Sequence, residues 1–123
     1  MPLEFDEKAQ ENLEAVDRLL PDEEGRDGLS NAAASRAYYA AYHAVAHVAQ
    51  REGRRFTKDD YYRHDTLPDE AFVWGILDDE QRLDLQQLLG LRIKADYDDA
   101  PVELDEADQA RQLARALVER LLA

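Results

Sequence analysis

From Ser30 to Gln50 the chain carries one charged side chain, Arg36, in a run otherwise built from Ala, Tyr, Val, His, Ser, Asn and Gln. Alanine loses no side-chain entropy in a helix and heads the propensity scale, so helix is expected from about Leu29 to Glu52, with Gly53 as its stop. A helix with so little charge has no solvent face of its own. It must be the central element, covered by neighbouring helices or by a second subunit. Its apolar and aromatic surface exceeds what the other helices of a small bundle are expected to cover, which predicts a homodimer.

The remaining segments fit helices around that centre. Phe5, Ala9, Leu13, Val16 and Leu20 recur on one face of an amphipathic helix that Pro21 stops. Residues 21–28 read as a charged, Gly-containing loop, and residues 54–68 as a polar connection closed by Pro68. A short helix through Ala71, Phe72, Trp74, Ile76 and Leu77 follows, then a longer one carrying Leu83, Leu85, Leu88, Leu89, Leu91 and Ile93 to about Ala95. After an acidic loop with Pro101, Asp105 and Asp108 look like a capping box opening a last helix lined by Ala110, Leu113, Ala114, Leu117 and Leu121. No window alternates with period two, so no sheet is expected. The fold class predicted is all-α, an antiparallel bundle of about five helices forming a single domain over residues 1–123.

Within the central helix, Arg36 and His43 stand seven residues apart. At about 100° per residue they return to within roughly 20° of each other, about 10 Å apart along the axis. Tyr39 lies between them and His47 extends the stripe by one turn. A guanidinium, a phenol and two imidazoles on one face suit two different uses. An imidazole that titrates near neutrality and a guanidinium that grips phosphate oxygens can cleave a phosphodiester without metal. Equally, such a row can be a buried polar network that holds a bundle in register.

The segment Ser35-Arg36-Ala37-Tyr38-Tyr39-Ala40-Ala41-Tyr42-His43-Ala44 resembles the signature helix of HEPN domains, in which a gap of four to six residues, here six, separates an arginine from a histidine. It is similar to the S-R-x-Y-Y-A-x-F-H-A helix of a small prokaryotic subgroup, and Arg92-Ile93-Lys94-Ala95-Asp96-Tyr97 resembles that subgroup's R-x-x-A-D-Y element before the last helix. His64 falls roughly where the subgroup often carries another histidine, although Arg63-His64-Asp65-Thr66 keeps little of the surrounding pattern. The resemblance spans about residues 5–122. It implies an up-and-down four-helix core and a metal-independent endoribonuclease of a toxin–antitoxin or nucleotidyltransferase-associated system. In that family two subunits bring their signature helices together into a composite site. There histidine, here His43, takes the 2′-hydroxyl proton, and arginine, here Arg36, stabilises charge on the five-coordinate phosphorus. Ala37 departs from the many cleaving members that have Asn, Asp or His at that position. Val45 stands where some members carry a tyrosine that is adenylylated to inactivate them, so that switch is absent here. The alternative implied is a non-catalytic HEPN module that binds a nucleotide or a protein partner such as the nucleotidyltransferase or antitoxin.

Charge bears on which ligand such a chain accepts. Fifteen Lys and Arg against 28 Asp and Glu give a net charge of −13, which repels a polyanion arriving from a random direction. RNA therefore needs a local exception. Arg51, Arg54, Arg55, Lys58 and Arg63 form a basic cluster just past the signature helix, with Phe56, Tyr61 and Tyr62 beside it to stack on bases. Its bland reading is a solvated helix end whose cations complement the dipole. Tyr39, His47, Arg51, Arg54, Arg55 and His64 are thus the candidates for nucleic-acid or nucleotide contact, with His64 otherwise a surface loop histidine. The i, i+4 pair His43 and His47 has zinc-site spacing, but no Cys exists and no acid lies in the helix before Glu52, so neither metal nor cofactor is expected. Trp74 reads as core or interface, and the acidic stretch from Asp96 to Asp108 lacks the alternating ligands and central Gly of a calcium loop. The N-terminal residues show no basic start followed by an apolar run, and no window approaches 18 apolar residues. The expectation is a cytoplasmic protein without membrane contact.

Overall fold

The structure, a computed structural model, describes residues 4–20, 29–55, 61–97 and 101–123. Among these are five helices and no strand: α1 (Phe5–Leu19), α2 (Ser30–Arg51), α3 (Leu67–Val73), α4 (Asp79–Tyr97) and α5 (Leu104–Leu121). The apolar stripe of α1 is buried as its periodicity predicts, through Phe5, Ala9, Leu13, Val16 and Leu20. Leu29 N–H donates to the Leu19 carbonyl at 3.0 Å, so α2 starts where α1 ends and runs back alongside it. Gly53 takes φ +77°, and Arg54 N–H donates to the Ala49 carbonyl at 2.9 Å, closing α2 with a left-handed glycine stop.

Side-chain contacts fix the directions of the other helices. Lys94 near the end of α4 meets Glu106 at the start of α5 at 3.0 Å, and Asn31 at the start of α2 accepts from the Val102 backbone at 2.8 Å. Arg115 of α5 reaches back to Asp17 of α1 at 2.7 Å. Helices α1, α2, α4 and α5 therefore alternate up and down, with α3 against α4. The packing centre is α2, which touches α1, α4 and α5. Small residues make that possible: Ala33, Ala34, Ala37, Ala40, Ala41 and Ala44 on α2, and Ala107, Ala110 and Ala114 on α5, are all fully buried.

The cover over α2 differs from expectation. Its apolar faces are covered within one chain, so the surface argument for a second subunit does not rest on α2. Exposed apolar groups lie elsewhere, at Val73 at the end of α3 and at Leu83, Ile93 and Tyr97 along α4. Three boundaries also differ. Pro68 does not close a loop; it sits in the first turn of α3, where its missing N–H is no loss. That helix ends at Val73, before Ile76 and Leu77, because Gly75 at φ +78° turns the chain. Asp78 and Gln81 exchange backbone-to-side-chain bonds of 2.8 and 2.9 Å, which starts α4 earlier than its leucines suggest, and Asp96 and Tyr97 still belong to it. At α5 the reciprocal pair is Glu103 and Glu106, not Asp105 and Asp108: Glu103 N–H donates to Glu106 Oε1 at 3.0 Å. The expected loop at 21–28, and Phe56, Lys58, Asp98 and Asp99, lie outside the described residues. Among the described residues no helix is long and apolar enough to cross a membrane.

Candidate functional site

One strip of α2 is left uncovered, and it is the polar one. Ser35, Tyr39, His43 and His47 are half-buried and Arg36 is exposed, whereas the residues beside them are buried. Helix α1 faces this strip with Asn12. Arg36 Nη1 donates to Asn12 Oδ1 at 3.4 Å, and Asn12 Nδ2 lies 3.4 Å from His43 Nδ1 while donating to the Lys8 carbonyl at 2.8 Å. One amide thus joins the guanidinium and the imidazole and is itself tied to its own helix. His43 is further held between Phe5, stacked at 5.9 Å, and Tyr39, stacked at 6.0 Å.

Ala37 is fully buried, pointing toward the core and away from the strip. A polar side chain there would sit in the core; the polar neighbour of Arg36 and His43 comes from α1 instead. Sequence reasoning missed Asn12, although a signal existed: it lies seven residues after Phe5 and three after Ala9, a neutral amide on an otherwise apolar stripe. Val45 is likewise fully buried.

Burial, reinforced by the charges of Lys8 and His64, pushes His43 down to about 4, against an opposing hydrogen bond with the Tyr39 backbone. At neutral pH this imidazole is unprotonated. It can accept a proton, but as a weak base.

Of the two readings of His64, a ligand contact or otherwise a surface loop histidine, the structure overturns the second: the ring is half-buried. The loop is pinned to α2 by Tyr42, whose hydroxyl donates to the Tyr62 carbonyl at 2.7 Å and accepts from the Tyr62 N–H at 3.1 Å. His64 is thereby carried in, its Nδ1 2.5 Å from the Tyr38 hydroxyl and its ring 4.4 Å from Tyr42. Burial first, and the nearby Arg92 cation second, lower its pKa. Arg92 comes from α4 and lies over Tyr39 at 5.4 Å and Tyr38 at 5.9 Å. The R-x-x-A-D-Y element and the signature helix therefore meet side by side.

The other candidates separate from this centre. His47 turns toward Asp6 of α1 at 4.0 Å and lines a hollow with Gln10 and Leu122. Arg51 is exposed at the far end of α2, and Arg54 and Arg55 are exposed just past it. Arg54 lies over Trp74 at 5.5 Å and 3.8 Å from Glu52, so it is the lid of an aromatic contact as well as a cation. Tyr62 cannot stack on a base: it is fully buried, with its hydroxyl donating to the Arg54 carbonyl at 2.8 Å. Tyr61 remains exposed, its ring 6.4 Å from His64.

No curated protein and no solved structure shows a significant similarity to the chain. A family model described as HEPN domain matches residues 4–123, which takes in α1 to α5 and every residue of the strip. The chain belongs to the HEPN domain family.

Proposed function

We propose that this HEPN protein acts on RNA as a metal-independent endoribonuclease of a toxin–antitoxin or nucleotidyltransferase-associated system, with Arg36 and His43 handling the scissile phosphate. The observation that carries the reading is the Asn12 amide, which holds the two motif side chains on one uncovered strip and leaves the Arg36 end exposed to a ligand. In the reaction His43, neutral at physiological pH, takes the 2′-hydroxyl proton. The 2′-oxygen then bonds to phosphorus and the bond to the 5′-oxygen breaks, leaving a cyclic phosphate and a 5′-hydroxyl whose proton comes from water. Arg36 donates to the non-bridging oxygens as charge builds on the five-coordinate phosphorus. A bound phosphodiester also raises the His43 pKa and so strengthens it as a base. The composite site belongs to a homodimer, with Ile93 and Tyr97, exposed on α4, as apolar cover for the second copy. A separate nucleotidyltransferase or antitoxin restrains the activity.

A second reading, a non-catalytic module binding a nucleotide or a protein partner, is favoured by one observation: a histidine pushed down to about 4 is far below the optimum for a general base. Incubation of the purified protein with single-stranded RNA and a chelator separates the two. Cleavage that Arg36→Ala and His43→Ala abolish, with helicity unchanged, supports the nuclease; intact RNA from a dimeric, partner-free protein supports the module. Sedimentation at micromolar concentration reports the dimer, and a stable monomer removes the composite site.

A further inference from the structure

A cavity of about 570 Å³ is lined by Tyr61, Arg63, His64, Asp65, Leu89 and Arg92 among others. The motif pair does not reach it. Tyr39, Arg36 and Asp96 line a second hollow of about 500 Å³, and the same Tyr39 ring lies 5.4 Å from Arg92 and 5.8 Å from His64 of the first.

The donors in the larger cavity are fixed and unspent. Arg92 lies over two tyrosine rings, its side chain 18% exposed, and although Asp96 Oδ2 lies 3.3 Å from its Nε, that buried Nε makes no hydrogen bond. The ion pair therefore neutralises charge without using the fork. His64 offers a second donor. Burial keeps the Tyr38 phenol protonated far above neutral pH, so its O–H donates to His64 Nδ1. A neutral imidazole that accepts at Nδ1 carries its proton on Nε2, and Nε2 is left as an N–H donor. Among the described lining residues the one carboxylate, Asp65, is engaged by Arg63 through bonds of 3.1 and 2.8 Å. A planar guanidinium beside an imidazole N–H is a donor set that tetrahedral oxyanions take.

We infer that the Arg92–His64 cavity is a phosphate-binding subsite, taking a phosphate group of RNA or of a free nucleotide in addition to the one at Arg36. The inference rests on the proposed phosphate-handling role of the groove, and its ligand is the same chemical group from either source.

The test uses the whole protein and three probes: inorganic phosphate, ATP and a fluorescein-labelled hexauridylate. In the unmodified protein each binding probe should shift the NMR signals of Arg92 Nε–Hε and His64 Hε1. Arg92→Gln should weaken the probes about tenfold or more, as expected for a lost charge-assisted fork. His64→Asn keeps an acceptor for Tyr38 and removes the Nε2 donor, so it should weaken them several-fold. Loss confined to the hexauridylate identifies an RNA backbone phosphate; loss confined to ATP identifies a nucleotide; both support the subsite. No shift of either signal with any probe overturns it, and that measurement needs no variant to fold. Failure here leaves cleavage by Arg36 and His43 intact, whereas failure of the nuclease reading leaves phosphate binding at Arg92 intact, so the two outcomes are distinguishable.

Discussion

Replacing Asn12 by Asp adds a carboxylate where the structure has an amide 3.4 Å from both His43 Nδ1 and Arg36 Nη1. Two unit charges about 4 Å apart interact by about 4 kcal/mol at an effective dielectric of about 20. With about 1.36 kcal/mol for each tenfold change in proton affinity, that is a ceiling of about three pH units on His43. The ring is half-buried, and the carboxylate also pairs with Arg36, so roughly a third to a half of the ceiling should survive. Asn12→Asp should therefore lift His43 from about 4 to midway toward the ordinary 6.5. Following the His43 Hε1 resonance from pH 3 to 9 measures this directly. Asn12→Leu, similar in size and uncharged, should leave the midpoint nearly where it is in the unmodified protein. A wild-type midpoint near 6.5 would refute burial as the dominant influence, and an unmoved midpoint in Asn12→Asp would refute the amide's position against the ring.

The same depressed pKa predicts stability that falls in acid. His43 binds a proton more readily in the unfolded chain, so its contribution is complete above about 6.5, declines as pH falls, and is gone below about 4. The ceiling is about 3 kcal/mol, halved for partial exposure to about 1–2, and urea melts at pH 7.5 and 4 should show it, with a smaller loss in Asn12→Asp. Tyr42→Phe removes both bonds that pin Tyr62 and should destabilise by about 1–3 kcal/mol in thermal melts, while releasing the His64 ring signal toward that of a free histidine. Arg54→Glu with Arg55→Glu should weaken RNA binding without altering sedimentation, since a Debye length of about 8 Å leaves only nearby charges to act on a bound phosphate. No change in binding would make that helix end a solvated cap, with Arg54 serving Trp74 alone.

What the sequence determined follows from periodicity, because helical spacing acts within a single element. The stripe Phe5, Ala9, Leu13, Val16 and Leu20, the near-uncharged central helix, its stop at Gly53 and the shared face of Arg36, Tyr39 and His43 were all legible. The same spacing put His47 on that face, yet only packing shows that its neighbour there is Asp6 of α1. What needed the tertiary structure is everything that joins residues far apart in the chain. Nothing local in Arg63-His64-Asp65 tells that Tyr42, some twenty residues earlier, fixes the loop and brings His64 against Tyr38. Nothing in α2 tells that its polar partner is Asn12 of α1, or that Ala37 points into the core. Arg92 carried a motif resemblance, but its place over two tyrosines follows from α4 packing antiparallel to α2. The physical reason is range: helix propensity and amphipathic pattern are fixed by neighbours within about four residues, whereas hydrogen bonds, desolvation and stacked rings act between whichever surfaces packing brings together.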